Sequence, residues 1–382
     1  MALDRYVAIH ATTPNGPGDA RPTAEQVLRD QTFVNADWHD KIILITGGTA
    51  GLGAESARVL HQTGAKVFIT GRDVAKGKRV AESIQAANPE NPHIETIHMD
   101  HSSLDSVRSA AKEFLQKSGG RLNVLMANAG IVSSSVPKTS DGFEAVFGIN
   151  YLAPFLLVQI LAEALVASST SAFNSRLVVV SSAGHRASDI DPEHYNGQDD
   201  APDPAKAYAR SKTALILMAN EFERRYADRG VHALSLNPGV IMGTEIARDL
   251  PGTPESRHGM YCKMFPRLAK WEKNLGQGAA TQVWAAIAQE LEGKGGIYLD
   301  DVQVGQETEP ELAPDYCLPG YASWVWNENK AGRLWSDSLG LVGLTADAAQ
   351  GAAPKSGDHT GRTVLSEKAT SKSFIRETYI GC

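Results

Sequence analysis

The chain has 382 residues, long enough to bury a large core, and with 42% hydrophobic and 21% charged residues it is composed like a folded globular protein rather than a disordered one. A formal net charge of -7 supplies no basic field for nucleic acid or an acidic membrane, so a small-molecule partner is expected. Three scattered cysteines, Cys262, Cys317 and Cys382, lack metal-ligand spacing and suggest no disulfide framework, which suits a reducing cytoplasm.

Taken in chain order, residues 1–40 read as an extension without the apolar core of an export signal. Within it TAEQVLRD is a short helix candidate, with Thr23 and Gln26 at capping-box spacing. From Lys41 onward, short apolar runs alternate with longer amphipathic ones. KIILIT, AKVFIT, HIETIHM, LNVLMA, RLVVVS, VHALSL and GIYL read as strands, with helices between them. Strands apolar on consecutive positions belong in a parallel sheet covered on both faces. The expected fold is therefore α/β, a doubly wound Rossmann sheet of about seven strands spanning residues 41–345. The apolar stretch INYLAPFLLVQILAEALVA carries Asn150, Pro154, Gln159 and Glu163, so it is expected to be a buried helix and not a membrane span. A last helix is expected near 328–338, and the polar residues 346–382 read as a flexible tail.

The stretch LITGGTAGLGAESARVL sets four glycines within seven residues at the first strand-to-helix junction. Glycine is the residue that turns tightly and lets backbone approach a ligand, and a helix N-terminus presents free N–H groups to a pyrophosphate. A dinucleotide cradle formed by Gly47, Thr49, Gly51, Leu52 and Gly53 explains the pattern; a ligand-free glycine turn is the alternative. The second strand ends at Thr70, Gly71 and Arg72. Gly71 offers no carboxylate to ribose hydroxyls, whereas Arg72 can pair with a 2′-phosphate, so NADP(H) is expected over NAD. Arg72 as a merely solvated arginine, with Asp73 beside it, is the competing view.

Tyr208 and Lys212, four apart on a helix candidate, share one face. They follow both the glycine loop and the strand ending in Ser181 and Ser182. With these motifs in order, together with Asn128-Ala129-Gly130 and Pro238-Gly239 through Thr244, the sequence resembles the short-chain dehydrogenase/reductase family over about residues 41–345. The phrases GRDVAKG, MDHSSLDSVR and DGFEAVFGINYLAPFLL resemble its retinol-dehydrogenase-like and WW-domain-oxidoreductase-like branch, although no WW domain precedes them.

The resemblance implies that Tyr208 is the general acid in carbonyl reduction and the base in alcohol oxidation. Lys212 would favour the phenolate and hold the nicotinamide ribose, Ser182 would hydrogen-bond the substrate oxygen, and Asn150 would hold a relay water. A helix-capping amide is the alternative for Asn150. Cofactor contacts are implied for Asn128, Ala129 and Gly130 beneath the ring, for Asp100 at adenine, and for Pro238, Gly239, Val240 and Thr244 at the carboxamide. His93, His98 and His101 beside Asp100 have poor ligand spacing, so no metal is expected. Position 50 is alanine where nucleotide-sugar epimerases and dehydratases place glycine, which favours the reductase form.

Residues 245–276 occupy the family's lid position. Met260, Tyr261, Met264, Phe265 and Trp271 there either cover a lipophilic ketone or aldehyde or simply pack the lid onto the sheet. The expected activity is NADP(H)-dependent interconversion of a carbonyl compound and an alcohol. A non-catalytic NADP-binding scaffold and a redox-neutral epimerase or dehydratase are the rivals. A homodimer through the apolar helices Tyr151–Ala167 and Ala205–Tyr226 is a further expectation from the resemblance.

Overall fold

The computed structural model describes residues 5–10, 12–31, 38–193 and 203–345; the expected tail, 346–382, lies outside them. All seven apolar runs form strands: β1 (Ile42–Ile45), β2 (Lys66–Gly71), β3 (Glu95–His98), β4 (Val124–Ala127), β5 (Ser175–Val180), β6 (Val231–Asn237) and β7 (Ile297–Asp300). They pair in parallel in the order β3-β2-β1-β4-β5-β6-β7. An eighth strand, β8 (Gln303–Val304), closes the edge antiparallel to β7. Its two-residue turn holds Asp301 and Val302 at φ 49° and 57°, a left-handed geometry that a β-branched residue adopts at a cost.

Nine helices matter to the site. These are α1 (Ala24–Asp30), α2 (Gly51–His61), α3 (Val74–Ala87), α4 (Leu104–Ser118), α5 (Ala153–Ser168), α6 (Pro204–Tyr226), α7 (Pro254–Met264), α8 (Leu275–Ile287) and α9 (Glu328–Leu341). The consecutive apolar residues of the strands divide by parity. Ile42 and Leu44 of β1 join Leu177 and Val179 of β5 in the core under α4, α5, α6 and α9, while Ile43, Ile45, Val178 and Val180 join the core under α2 and α8. A strand can be apolar throughout only because both faces are covered.

The run Ala145–Ser168 is long and apolar enough to cross a membrane, and 83% of its apolar window is buried inside the fold. Trp335 of α9 meets Phe155 edge to face at 5.1 Å, and Tyr151 shares a hydrogen bond of 2.8 Å with Ser338. Part of the face expected to pair between subunits is thus covered by α9 of the same chain.

The N-terminal segment is docked. Thr23 caps α1 by accepting from the Gln26 backbone N–H at 3.2 Å, and Ala24, Val27 and Leu28 are buried. Ahead of α1, the buried Arg21 guanidinium donates to the carbonyls of Trp271 (2.8 Å) and Glu272 (2.7 Å) and is paired with Asp19. Gln277 of α8 accepts from the Gly18 N–H at 2.9 Å. Truncation at Arg21 strands these acceptors in the interior, so Arg21→Ala is expected to cost about 2–4 kcal/mol of stability. Urea unfolding checks this; an unchanged midpoint would show that the strap contributes no stability.

Candidate active site

In an open α/β sheet, ligands bind beyond the carboxyl ends of the strands where the strand order reverses, here between β1 and β4. The loop after β1 is built around missing side chains. Gly47 and Gly51 have φ of +65° and +54°. A Cβ on Gly53 would stand 2.4 Å from the Gly47 carbonyl oxygen and 2.6 Å from Asn128 Nδ2, so only glycine lets α2 begin this close to β1. Thr46, fully buried, accepts from the backbone N–H groups of Asn128 and Ala129, both at 3.0 Å, while Asn128 Nδ2 donates to the Thr46 carbonyl at 2.9 Å. These bonds lock the turn after β4 against the glycine loop.

The end expected to meet adenosine is built by β2 and β3. The Met99 N–H donates to the Gly71 carbonyl at 3.1 Å, which sets Arg72 and Asp100 at adjacent strand ends. Arg72 is exposed and Asp100 half-buried, and Asp100 Oδ1 accepts from the Ser102 N–H (2.9 Å) and hydroxyl (2.8 Å). A Cβ on Gly71 would lie 2.5 Å from Thr49 Cγ2, so Thr49 fills the place an acidic side chain would need. Asp73 caps α3 by accepting from the Lys76 N–H at 2.8 Å, which directs its carboxylate to the helix end. Leu52 packs towards α8, its Cδ2 2.8 Å from where a Gly278 Cβ would be.

At the opposite end, Asn150 and Lys212 approach Gly130, while the Ser182 hydroxyl and the Tyr208 ring meet beside Gly184. A Cβ on Gly130 would lie 3.3 Å from Asn150 Oδ1 and 3.4 Å from Lys212 Nζ. Asn150 sits in a wide π turn, Gly148–Leu152, that interrupts the helical run ahead of α5, a local irregularity common at functional sites. Its amide is spoken for: Oδ1 accepts from the Ile131 N–H at 2.8 Å, and Nδ2 donates to the Ile131 carbonyl (2.8 Å) and Ser211 hydroxyl (3.0 Å). It is therefore a mid-helix cross-brace and not a helix cap.

The i, i+4 spacing on α6 stacks Lys212 against Tyr208, with Nζ 5.6 Å from the ring centroid, and Nζ donates to the Val180 carbonyl at 2.9 Å. Burial pushes the lysine down to about 8, which leaves it mostly an ammonium at neutral pH. The phenol departs from expectation. Desolvation pushes Tyr208 up to about 12, opposed by the hydrogen bond with Ser182 and reinforced by Tyr261 on the lid. Burial is thus the leading influence on the phenol, and the group rests as a proton donor.

The two serines after β5 separate cleanly. Ser181 is buried and donates to the Lys212 carbonyl at 2.8 Å, whereas the half-buried Ser182 is the one that meets Tyr208. The third wall is the turn after β6. Lys273 donates through its backbone N–H to the Val240 carbonyl at 2.9 Å and through Nζ to the Pro238 carbonyl at 3.2 Å, and is ion-paired with Asp301. Gly239, at φ +91°, runs against the Lys273 stem, and Thr244 lies beside Gly51, closing the turn onto the glycine loop.

On the lid, Tyr261 and Phe265 stack at 6.2 Å and Phe265 meets Tyr316 at 5.5 Å. Met260 and Met264 stand exposed, and no residue of α7 is buried, so the expected apolar cover is aromatic and comes from one side of the helix only. Among the described residues, no group of three or more His, Cys, Asp or Glu is gathered as a metal site would require. Sequence reasoning overlooked Ser211, Asn237 and Lys273. Only Asn237, directly before Pro238-Gly239, carried a positional hint.

Comparison with known proteins bears on the same segments. The family profile described as short chain dehydrogenase matches residues 41–254, from the start of the sheet into the lid. The chain belongs to the short-chain dehydrogenase/reductase family. A relative, Oxidoreductase calI of Penicillium decumbens, is 68% identical over 91% of this chain and 100% of its own. Retinol dehydrogenase 12 of Mus musculus is 33% identical over 80% of this chain and 87% of its own, in keeping with the expected branch. Among solved structures, an uncharacterized protein from Mycobacterium paratuberculosis superposes with a TM-score of 0.58 at 26% identity, covering 80% of this chain and 94% of that one. The chain is accordingly a short-chain oxidoreductase of a nicotinamide cofactor, and the glycine cradle and converging polar groups fit such a ligand.

Proposed function

We propose that the protein is an NADP(H)-dependent carbonyl reductase or alcohol dehydrogenase acting on a lipophilic small molecule. The observation that carries this reading is the meeting of the Ser182 hydroxyl and the Tyr208 ring beside Gly184, with the Lys212 ammonium 5.6 Å from the centre of that ring and facing Gly130. The cofactor, when bound, supplies or accepts the hydride. Gly47, Thr49, Gly51, Leu52 and Gly53 would cradle its pyrophosphate, Asp100 its adenine, and Pro238, Gly239, Val240 and Thr244 its carboxamide, with Asn128, Ala129 and Gly130 beneath.

In this reading Ser182 holds the substrate oxygen by hydrogen bonding, and Tyr208, uncharged at neutral pH, donates its proton to that oxygen as the carbonyl is reduced. Lys212 holds positive charge near the phenol and would bind ribose hydroxyls. Asn150, fixed by Ile131 and Ser211, orders the path by which a proton returns. The aromatic series Tyr261, Phe265 and Tyr316 favours an apolar substrate, and retinol in the name of the mouse relative points the same way. A panel of lipophilic ketones, aldehydes and alcohols followed by NADPH absorbance tests the activity; no turnover across the panel would defeat it.

Phosphate preference rests on the β2 end. Thr49 excludes an acidic side chain at Gly71, Asp73 is engaged as a cap, and Arg72 is exposed beside Asp100. A charge-assisted hydrogen bond is worth about 1.5–3 kcal/mol, so Arg72→Ala should weaken NADPH binding about 10-fold or more and leave NADH nearly unchanged. Fluorescence titrations with both nucleotides decide this, and equal losses would refute the phosphate assignment.

A further inference from the structure

The hydroxyl of Ser182 is only as well placed as the backbone that carries it, and both polar groups of the following peptide unit are gripped by buried side chains. The Ser182 carbonyl accepts from His185 Nδ1 at 2.6 Å and from the His185 N–H at 3.1 Å. The Ala183 N–H donates to Asn237 Oδ1 at 3.0 Å. Neither side chain can turn away, because each is held from behind by one late segment of the chain. His185 Nε2 accepts from the Ala322 N–H at 3.1 Å, and since that backbone group can only donate, the ring proton must reside on Nδ1 and point at the serine carbonyl. Asn237 Nδ2 donates to both oxygens of Asp300, at 3.1 and 3.2 Å, and Asp300 in turn accepts from the Gly320 N–H at 2.9 Å.

Both routes therefore end within three residues of each other, at Gly320 and Ala322. Arg186 anchors the same segment by donating to the Asp315 carbonyl at 2.7 Å and the Pro319 carbonyl at 3.1 Å. Asn237 has a second duty on the cofactor side: its Oδ1 also accepts from the Gly239 N–H at 3.2 Å, so one amide spans the serine loop and the carboxamide turn.

We propose that His185 and Asn237 are positioning residues that clamp the Ser182–Ala183 peptide unit and make the Asp300–Ala322 segment the rear support of the serine. The clamp rests on the functional reading above for Ser182. It touches neither substrate nor hydride. Its effect is to hold the hydroxyl within reach of the Tyr208 phenol, and displacements of about 1 Å at such a site cost up to about 100-fold in rate.

The test is a double-mutant cycle on the full chain with His185→Leu, Asn237→Leu and both together, using whichever carbonyl compound the panel identifies. Each single change is expected to lower kcat by about 10–100-fold. The double variant is expected to be little worse than the poorer single, because both act on one peptide unit. His185→Leu should leave KM and NADPH affinity nearly unchanged, and His185→Gln, which keeps a donor and an acceptor, should recover part of the rate. Losses that multiply, or that fall on KM alone, would overturn the clamp. Nitrogen NMR of the wild-type imidazole gives a readout independent of turnover: a neutral ring protonated on Nδ1 supports the clamp, and a proton on Nε2 overturns it even if the variants fail to fold. An inactive wild type with the Nδ1 proton in place would count against the functional reading and leave the clamp geometry standing.

Discussion

Tyr208→Phe is expected to lower turnover by about 10²–10⁴-fold, the range supplied by a positioned general acid, while leaving NADPH affinity and the unfolding midpoint close to wild type. The substitution removes one hydroxyl and keeps the ring against Gly184 and Lys212. Its companion is the pH profile. With the phenol pushed up to about 12, Tyr208 is protonated throughout the working range, so the reductive rate should show no loss from its ionisation near neutral pH. Alcohol oxidation needs the deprotonated form, whose population grows about tenfold per pH unit below that value, so the oxidative rate should climb with pH. Steady-state rates in both directions decide the matter; wild-type turnover by the Phe variant would remove Tyr208 from the chemistry.

Gly53→Ala should be nearly as damaging by a different route. Its new methyl would fall 2.4 Å from the Gly47 carbonyl oxygen, a backbone atom that cannot swing aside, and the start of α2 must retreat. The expected result is a loss of NADPH affinity of about 100-fold or more, with a stability cost of about 1–3 kcal/mol from overpacking. Gly332→Ala supplies the control: it lies on α9 with nothing within 4 Å of its would-be Cβ, and should be neutral or stabilising by up to about 1 kcal/mol. Calorimetry of nucleotide binding on the two variants checks the contrast, and tight binding by the Gly53 variant would show that the loop does not need the close approach.

What could be read in the sequence is what local rules govern. Consecutive apolar residues announced seven strands because burial on both faces leaves no place for alternation. The four-residue spacing of Tyr208 and Lys212 announced a shared face because helical geometry is local. The edge strand β8 escaped notice because it is two residues long and its turn, Asp301-Val302, lacks the Gly or Asn that left-handed geometry usually demands. The π turn at Asn150 likewise has no residue signature. The ionisation of Tyr208 could not be read from neighbours in sequence, since it is set by how much water the assembled fold excludes. Met260 and Met264 looked like pocket lining by type alone, whereas a helix with no buried residue gives no periodic cue to which side faces in.

The docking of Arg21 onto the carbonyls of Trp271 and Glu272 spans 250 and 251 residues of chain. Such closure is among the slowest kinds of contact to form, and during synthesis the segment that holds Arg21 must wait for the sheet and lid to emerge before it can latch. The support of the segment that leads into Lys273, behind Pro238 and Gly239, therefore depends on a contact that no local structure can supply and that forms only once both distant stretches of chain are present.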